Sequence, residues 1–323
     1  MPHVELEGKS YAVEPDETVL DALLRQGVNA PYSCKSGTCQ SCLMRVVTGT
    51  PPEASQVGVK ESLKMRGFFL PCVCRPESDL VIAKPDAADV AAAATIISTD
   101  ALSHDVVRLL LKTESPFDYR SGQFVNLVRE DGLIRSYSVA SLPHRDEHLE
   151  LHIRKIPGGK MSNWIHSEVQ PGDRVQVRGP SGDCFYLPAN RDQNLLLVGT
   201  GTGLAPLYGI IQDAIHHQHR GQIALFQGAL NHTGLYLVDE LCALTQQHAQ
   251  LNYRRCLVQG EPSEQIEVGA LDQIIFKHHP KLKDWRVYLC GNPDLVTMLR
   301  KKVFLAGASM KEIHSDAFIM AKG

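Results

Sequence analysis

Cys34-Lys35-Ser36-Gly37-Thr38-Cys39-Gln40-Ser41-Cys42 gathers three thiols into one Ser/Gly-rich stretch, and a fourth, Cys72, follows alone far downstream. The spacing C-x4-C-x2-C-x29-C suits a 2Fe-2S core held by thiolates. Serine and glycine let the backbone wrap such a core and turn amide N–H groups toward the sulfurs, where they stabilise the negative charge that reduction adds. Structural zinc usually takes two short cysteine hairpins, or a cysteine pair with a histidine pair, and an isolated fourth cysteine departs from both. Zinc and disulfides stand as the competing readings. Cys74 would share a face with Cys72 in an extended segment, but four thiolates complete the core, so Cys74 reads as a buried neighbour. Electron transfer is the leading expectation.

Outward from this stretch, 323 residues are too many for a single cluster-binding unit, and two or three domains are expected. Hydrophobic content of 43% and charged content of 21% describe a globular chain with ample core. No apolar run approaches the roughly 20 residues of a membrane span, and Met1-Pro2-His3-Val4-Glu5-Leu6-Glu7 lacks the basic and apolar regions of a signal peptide. A cytoplasmic protein without a membrane partner is expected, in a compartment that keeps the thiols reduced. The formal net charge of −3 offers no basic stripe for nucleic acid.

The texture changes along the chain. Residues 1–84 read as short strands, one helix and the cysteine loop. Strands at Val4–Glu7 and Ser10–Val13 flank a Gly8-Lys9 turn, and a helix opened by Thr18 carries Val19, Leu20, Leu23 and Leu24 to a stop at Gly27. Residues 85–94, including Ala87-Ala88-Asp89-Val90-Ala91-Ala92-Ala93-Ala94, are low in complexity and read as a linker, with a short helix as the alternative. Residues 95–190 hold β-like runs at 106–111, 123–127, 148–153 and 174–177, separated by Gly and Pro in the manner of a small barrel. Residues 191–323 begin with the apolar strand Leu195-Leu196-Leu197-Val198 and alternate strands with helices, the pattern of an α/β unit on a parallel sheet.

Three motifs in the later segments suit charged cofactors. In a strand, Arg135 and Tyr137 share one face while Ser136 and Ser138 share the other, so Arg135-Ser136-Tyr137-Ser138 presents a cation, an aromatic surface and hydroxyls to a planar ligand. About twenty residues on, Gly158-Gly159-Lys160-Met161-Ser162 precedes a helix-like run and offers free amides to a phosphate. Gly199-Thr200-Gly201-Thr202-Gly203-Leu204-Ala205-Pro206 then links a strand to a helix, the setting of a diphosphate cradle. The spacing is not G-x-G-x-x-G, and no acidic residue ends the next strand, so the dehydrogenase fingerprint fails.

In their order and separation these motifs resemble the ferredoxin-NADP reductase superfamily, and the resemblance covers nearly the whole chain. With a plant-type ferredoxin at the N-terminus, the chain is most similar to the reductase components of bacterial ring-hydroxylating dioxygenases and related monooxygenases; His152-Ile153-Arg154-Lys155-Ile156-Pro157-Gly158-Gly159 looks like the naphthalene-dioxygenase type. The resemblance implies a multidomain α+β and α/β fold: an N-terminal β-grasp ferredoxin, an antiparallel β-barrel flavin domain, and a C-terminal α/β parallel-sheet nucleotide domain. It implies FAD, with Arg135 on the phosphates, Ser136 in the same strand, Tyr137 on the ribityl or ring system and Ser138 at the N5 edge. Gly159, Lys160, Met161 and Ser162 would hold the pyrophosphate. Gly201, Thr202 and Gly203 would receive the pyridine nucleotide, and Cys290-Gly291-Asn292-Pro293 matches the family's Cys-Gly-x-Pro motif, with Cys290 beside the hydride-donating carbon. In His314-Ser315-Asp316-Ala317-Phe318, where the family brings an aromatic or acidic group to the flavin, Phe318 is the candidate cover, with core packing as its alternative. Cys34, Cys39, Cys42 and Cys72 would ligate the cluster.

The expected function is an NAD(P)H-dependent oxidoreductase that passes a hydride from NADH, favoured over NADPH because Asn231-His232-Thr233-Gly234 supplies no Arg or Lys, to FAD and then single electrons to the cluster. The acceptor would be an oxygenase component or a separate ferredoxin, and the reductase a monomer. A reductase of deoxysugar biosynthesis shares this architecture, and a non-catalytic redox-sensing or metal-binding module is the reading from another class. His216, His217 and His219, and His278-His279, read as polar helix ends, and Cys184, Cys242 and Cys256 as small buried hydrophobes.

Overall fold

A computed structural model describes residues 2–59, 61–64, 66–85 and 91–319. Near the N-terminus, strands β1 (His3–Leu6) and β2 (Lys9–Ala12) form a hairpin whose turn residues are Glu7 and Gly8, with φ of 54° and 75°. A two-residue hairpin turn wants both central residues at positive φ, so the turn falls one residue earlier than Gly8-Lys9 and Lys9 joins the strand. Helix α1 (Val19–Arg25) starts at Thr18, whose Oγ1 accepts the Asp21 N–H at 3.2 Å. It buries Val19, Leu20 and Leu23 against Phe68, Phe69 and Leu80. With β3 (Met44–Thr48), β4 (Phe68–Phe69) and β5 (Leu80–Ala83), the strands make a mixed sheet in the order β2-β1-β5-β3-β4.

The middle segment is an antiparallel sheet in the order β10-β7-β6-β11-β8-β9, built from β6 (Ala91–Ala101), β7 (Val106–Thr113), β8 (Phe124–Val128), β9 (Ile134–Ser138), β10 (Leu149–Arg154) and β11 (Arg174–Ser181). A bridge between Val139 and Leu151 joins its two edges, which closes the barrel. Alternate residues fill the interior, among them Leu109, Leu111, Val125, Leu127, Leu151 and Val177, and helix α2 (Lys160–Ser167) adds Met161 and Ile165. The expected linker is corrected at its C-terminal end. Ala91–Ala94 opens β6, pairing with β11 through Ala94↔Val175 and with β7 through Ala94↔Thr113. An alanine run shows no alternation and has weak strand preference, but partners on both sides settle its conformation. Residues 86–90 of that linker lie outside the described residues.

The last segment is an all-parallel sheet in the order β15-β14-β13-β12-β16-β17: β12 (Leu195–Thr200), β13 (Ile223–Ala229), β14 (Leu251–Leu257), β15 (Ile266–Val268), β16 (Arg286–Gly291) and β17 (Ile313–Ala317). Chain order runs outward from β12 in both directions, so the crevice between the C-terminal ends of β12 and β16 is the switch point where ligands bind such sheets. Helix α3 (Leu204–His216) leaves β12 and buries Leu207, Ile210 and Ile211 completely, a contribution of about 1.5–3 kcal/mol each. A Cβ on Gly209 of this helix would lie 3.0 Å from the Ala140 carbonyl oxygen and from Ser121 Cβ, so the helix lies directly on the barrel. One core cluster continues from Val106, Cys184 and Tyr186 into Leu197, Ile210 and Tyr288, binding barrel and nucleotide sheet together. Beyond α3, His219 is buried, not a solvated helix end, and its Nδ1 meets the Tyr186 hydroxyl at 3.0 Å. His279 likewise packs on Trp285. Among the described residues no helix is long and apolar enough to cross a membrane.

Candidate functional site

The cysteine loop between α1 and β3 is curled by positive φ at Lys35 (53°), Gly37 (78°) and Gln40 (57°). Such left-handed residues turn successive amides inward into an anion-binding concavity. The Ser36 and Cys39 N–H groups both donate to Cys34 Sγ at 3.4 Å, and the Cys34 N–H donates to Cys39 Sγ at 3.5 Å. The Cys39 thiol, aided by Ser36 and these amides, holds Cys34 far below the ordinary thiol range. Cys72 is held down in the same way by the thiol of Cys42 and by the Gly37 amide. The sulfurs therefore stand as two couples, Cys34 with Cys39 and Cys42 with Cys72. Two couples under inward amides suit a two-iron core with a couple on each iron, and among the described residues no His, Cys, Asp or Glu group is gathered around a single metal ion. Cys74 follows the short 3-10 turn Pro71–Val73 instead of sharing a strand with Cys72; it is fully buried, and burial pushes its thiol up to about 12.

The barrel presents β9 beside this loop. Ser136 Oγ donates to Asn126 Oδ1 at 2.7 Å, Tyr137 packs partly on the barrel core, and Arg135 Nη1 donates to the Ile134 carbonyl at 2.7 Å. Gly159 is the N-cap of α2, and no side chain caps the amides of Lys160, Met161 and Ser162. Met161 is buried and Ser162 Oγ accepts the Ile156 N–H at 3.1 Å, so both offer this helix start their backbone rather than their side chains. Uncapped amides at a helix start suit a diphosphate, and the cation, ring and hydroxyls of β9 suit the rest of a flavin nucleotide.

At the switch point two turns interlock. A Cβ on Gly203 would sit 2.3 Å from the Cys290 carbonyl oxygen, and one on Gly291 2.5 Å from that of Thr200, so the short 3-10 turn Gly201–Gly203 and the Cys290-Gly291 turn require glycine where they touch. The Asn292 N–H donates to Thr200 Oγ1 at 3.1 Å, while its side chain accepts from the Asp294 and Leu295 amides and caps the next helix. Thr202 lies half-buried on this turn. The Arg154 guanidinium stands beside Gly201, anchored by Asp105 at 2.6 Å.

Cys290, 2% exposed, is the penultimate residue of β16, in register with Asp316 of β17. Burial, then the neighbouring Cys184 thiol at 3.4 Å and Asp316, raise its thiol well above the ordinary value, so it stays neutral and is no nucleophile. Ser138 Oγ donates to Asp316 Oδ2 at 2.8 Å, bridging the barrel to the nucleotide sheet. Burial raises the Asp316 carboxyl to about 6 against the opposing hydrogen bond from Ser138. Phe318 lies two residues on, half-buried, its N–H on the Gly291 carbonyl at 2.8 Å. Asp316 is therefore the member of the C-terminal motif that meets the strand of Ser138, a contact that was not among the expected ones. Its signal was present: an acidic group in the one C-terminal stretch expected at the flavin. Cys184, read as an inert hydrophobe, is the packing partner of Cys290.

Comparison with known proteins supports the three-part organisation. The 2Fe-2S iron-sulfur cluster binding domain matches residues 3–77, the oxidoreductase FAD-binding domain residues 93–186, and the oxidoreductase NAD-binding domain residues 197–301. The chain is 31% identical over 306 residues to the naphthalene 1,2-dioxygenase system ferredoxin–NAD(P)(+) reductase component of Pseudomonas putida, covering 93% of each chain. It is also 31% identical to the aromatic O-demethylase reductase subunit of an Amycolatopsis species, over 98% of each. Among solved structures, the Amycolatopsis cytochrome P450 reductase GcoB superposes with a TM-score of 0.70 at 30% identity, over 98% of this chain and 99% of that one. The ferredoxin reductase in carbazole 1,9a-dioxygenase gives 0.68 at 25%, over 98% of each. The chain thus belongs to the iron–sulfur flavoprotein reductases that carry cluster-binding, FAD-binding and NAD-binding domains in that order, and it is an NAD(P)H-dependent oxidoreductase built for electron transfer.

Proposed function

We propose that this reductase takes hydride from NADH and delivers single electrons to an oxygenase component, or to a separate ferredoxin, of an aromatic-ring hydroxylating system. It is proposed to act as a cytoplasmic monomer, divided into units at 1–84 and 191–323 and a barrel that begins at Ala91 rather than at residue 95 and runs to 190. The observation that carries the reading is the convergence of Ser138, Asp316 and Cys290 where the barrel meets the nucleotide sheet, with the cysteine loop seated against the same barrel strand pair. The relatives support the acceptor class, since several are reductase components of aromatic dioxygenases or of phenol 2-monooxygenase.

FAD converts between a two-electron hydride and single electrons, and the cluster carries those electrons one at a time. Arg135 and the free amides of Lys160, Met161 and Ser162 would hold the flavin nucleotide's phosphates, and Tyr137 would cover its ribityl or ring. Gly201, Thr202 and Gly203 let the nucleotide's diphosphate approach the start of α3, with Arg154 as a nearby cation. Cys290, neutral and enclosed, would give the nicotinamide a soft apolar neighbour, and Phe318, half-buried with its N–H on the Gly291 carbonyl, would help to limit water there. Ser138 Oγ, which donates to Asp316 Oδ2, would carry a proton between bound FAD and that carboxyl. Cys34, Cys39, Cys42 and Cys72 would ligate the cluster, with the amides of Ser36 and Gly37 moderating its charge.

An anaerobic titration of the purified protein, followed by visible absorption and low-temperature EPR, tests this reading. NADH is expected to bleach flavin and cluster together and to produce a reduced-cluster EPR signal. Because the turn after β13 (Leu230-Asn231-His232) offers a 2′-phosphate no guanidinium, NADPH is expected to have a kcat/KM lower by about tenfold or more, the worth of one lost charge-assisted hydrogen bond. Protein that leaves both centres oxidised with either nucleotide would exclude the reductase reading.

A further inference from the structure

Strand β8 turns Val125 and Leu127 into the barrel core, so Asn126 between them points outward, yet it is only 3% exposed. The cysteine loop covers it. Asn126 Nδ2 donates to the Cys39 carbonyl at 2.8 Å, and its Oδ1 accepts from Ser41 Oγ at 3.2 Å and from Ser136 Oγ at 2.7 Å. One amide thus ties two groups of the loop, both lying between the second and third cysteines, to the strand that carries the flavin motif. Ser41 is 1% exposed, so the contact is sealed from water. Asn126 is flanked in register by Ser136 on β9 and by Arg178 on β11, which places all three side chains in one row on this face. Arg178 Nε is buried without a hydrogen-bond partner. The Arg178 charge in this row is electrostatically matched to a loop whose cysteines would ligate the cluster as thiolates.

We propose that Asn126 is the positioning residue that holds the cluster-binding loop against the flavin strand and thereby sets the rate of electron passage between the two centres. The proposal rests on the reductase reading. In the step it serves, one electron would pass from the reduced flavin to a ferric ion, which becomes ferrous, and any proton the flavin releases would go to Asp316 through Ser138; Asn126 itself exchanges neither. Such transfer weakens steeply with separation, so the population of the docked arrangement governs the rate. Both ends of the Asn126 amide are used. Removing it leaves the Cys39 carbonyl and the buried Ser41 hydroxyl without their partner and takes the acceptor from half-buried Ser136, and burying such groups unsatisfied is costly.

The test uses the holoprotein with Asn126→Ala. NADH-driven reduction of ferricyanide, which accepts electrons from the flavin, is compared with reduction of cytochrome c, which draws on the cluster. Iron content and amide hydrogen exchange over residues 34–42 are measured alongside. Ferricyanide turnover and iron content are expected to hold while cytochrome c turnover falls about tenfold or more and exchange over 39–42 accelerates. Unchanged cytochrome c turnover and exchange would overturn the proposal, as would an equal fall in both activities or loss of iron, which signals a structural role alone. Should the alanine variant fail to fold, Asn126→Asp keeps the shape and the acceptor but removes the donor to Cys39, and the same split is expected. A wild-type protein unable to reduce ferricyanide would instead remove the reductase reading itself.

Discussion

Replacing Cys72 with alanine is expected to strip the protein of iron and slow NADH-driven cytochrome c reduction by at least about a hundredfold, while ferricyanide reduction through the flavin continues. Replacing Cys74, only two residues away, is expected to leave iron and both activities in place. The contrast follows from local structure. The Cys42 thiol and the Gly37 amide donate to the Cys72 sulfur and hold it toward the thiolate that a metal requires. Cys74 comes after the 3-10 turn, wholly enclosed with the apolar core of α1, and burial pushes its thiol up to about 12, so it stays protonated and out of reach. It cannot stand in for its neighbour. Iron analysis and the visible spectrum of the two variants decide the matter: iron retained in the Cys72 variant, or lost in the Cys74 variant, would move the fourth ligand. The barrel and nucleotide sheet share a core cluster that the N-terminal unit does not enter, so losing the cluster leaves the flavin half folded.

This division also explains which parts of the molecule could be read from the chain. The cysteine spacing, the Arg135–Ser138 strand and the two glycine turns are local patterns, because each must present several groups from one short segment to one ligand. Glycine at 203 and 291 is legible for a further reason, since each turn leaves no room for a Cβ from the other. The Ala91–Ala101 strand was opaque at its start, where only pairing with β7 and β11 selects an extended conformation. Asn126 was opaque altogether. Nothing in Phe124-Val125-Asn126-Leu127 distinguishes an outward amide facing water from one that receives another domain, and that difference lies in a contact 87 residues distant in sequence. The same holds for Asp316, whose partner Ser138 is 178 residues away.

Asp316→Asn is expected to lower the rate at which the cluster is reduced by about a hundredfold, without preventing flavin binding, because the amide keeps the acceptor for the Ser138 hydroxyl and loses only the proton-carrying carboxyl. The pH dependence distinguishes this role from a structural one. Burial raises the Asp316 carboxyl to about 6, with Ser138 donating to it and neutral Cys290 in register beside it. With FAD bound, Ser138 Oγ would accept a proton released on flavin oxidation as its own passes to Asp316 Oδ2, to which it already donates. That transfer needs the carboxylate, so the single-turnover rate of cluster reduction should rise with pH through about 6 and level off above it. Stability should run the other way. A carboxyl whose folded pKa is raised binds its proton more tightly folded than unfolded, so its contribution is full below the unfolded pKa and is lost as pH rises through the folded one. For a shift from 3.8 to about 6 the loss is about 3 kcal/mol. One group should therefore give two opposed profiles, rate climbing and stability falling through the same pH window, and Asp316→Asn should flatten both. Stopped-flow reduction and denaturant unfolding between pH 4 and 8 measure them; a variant whose rate still climbs through about 6 would assign the proton to another group.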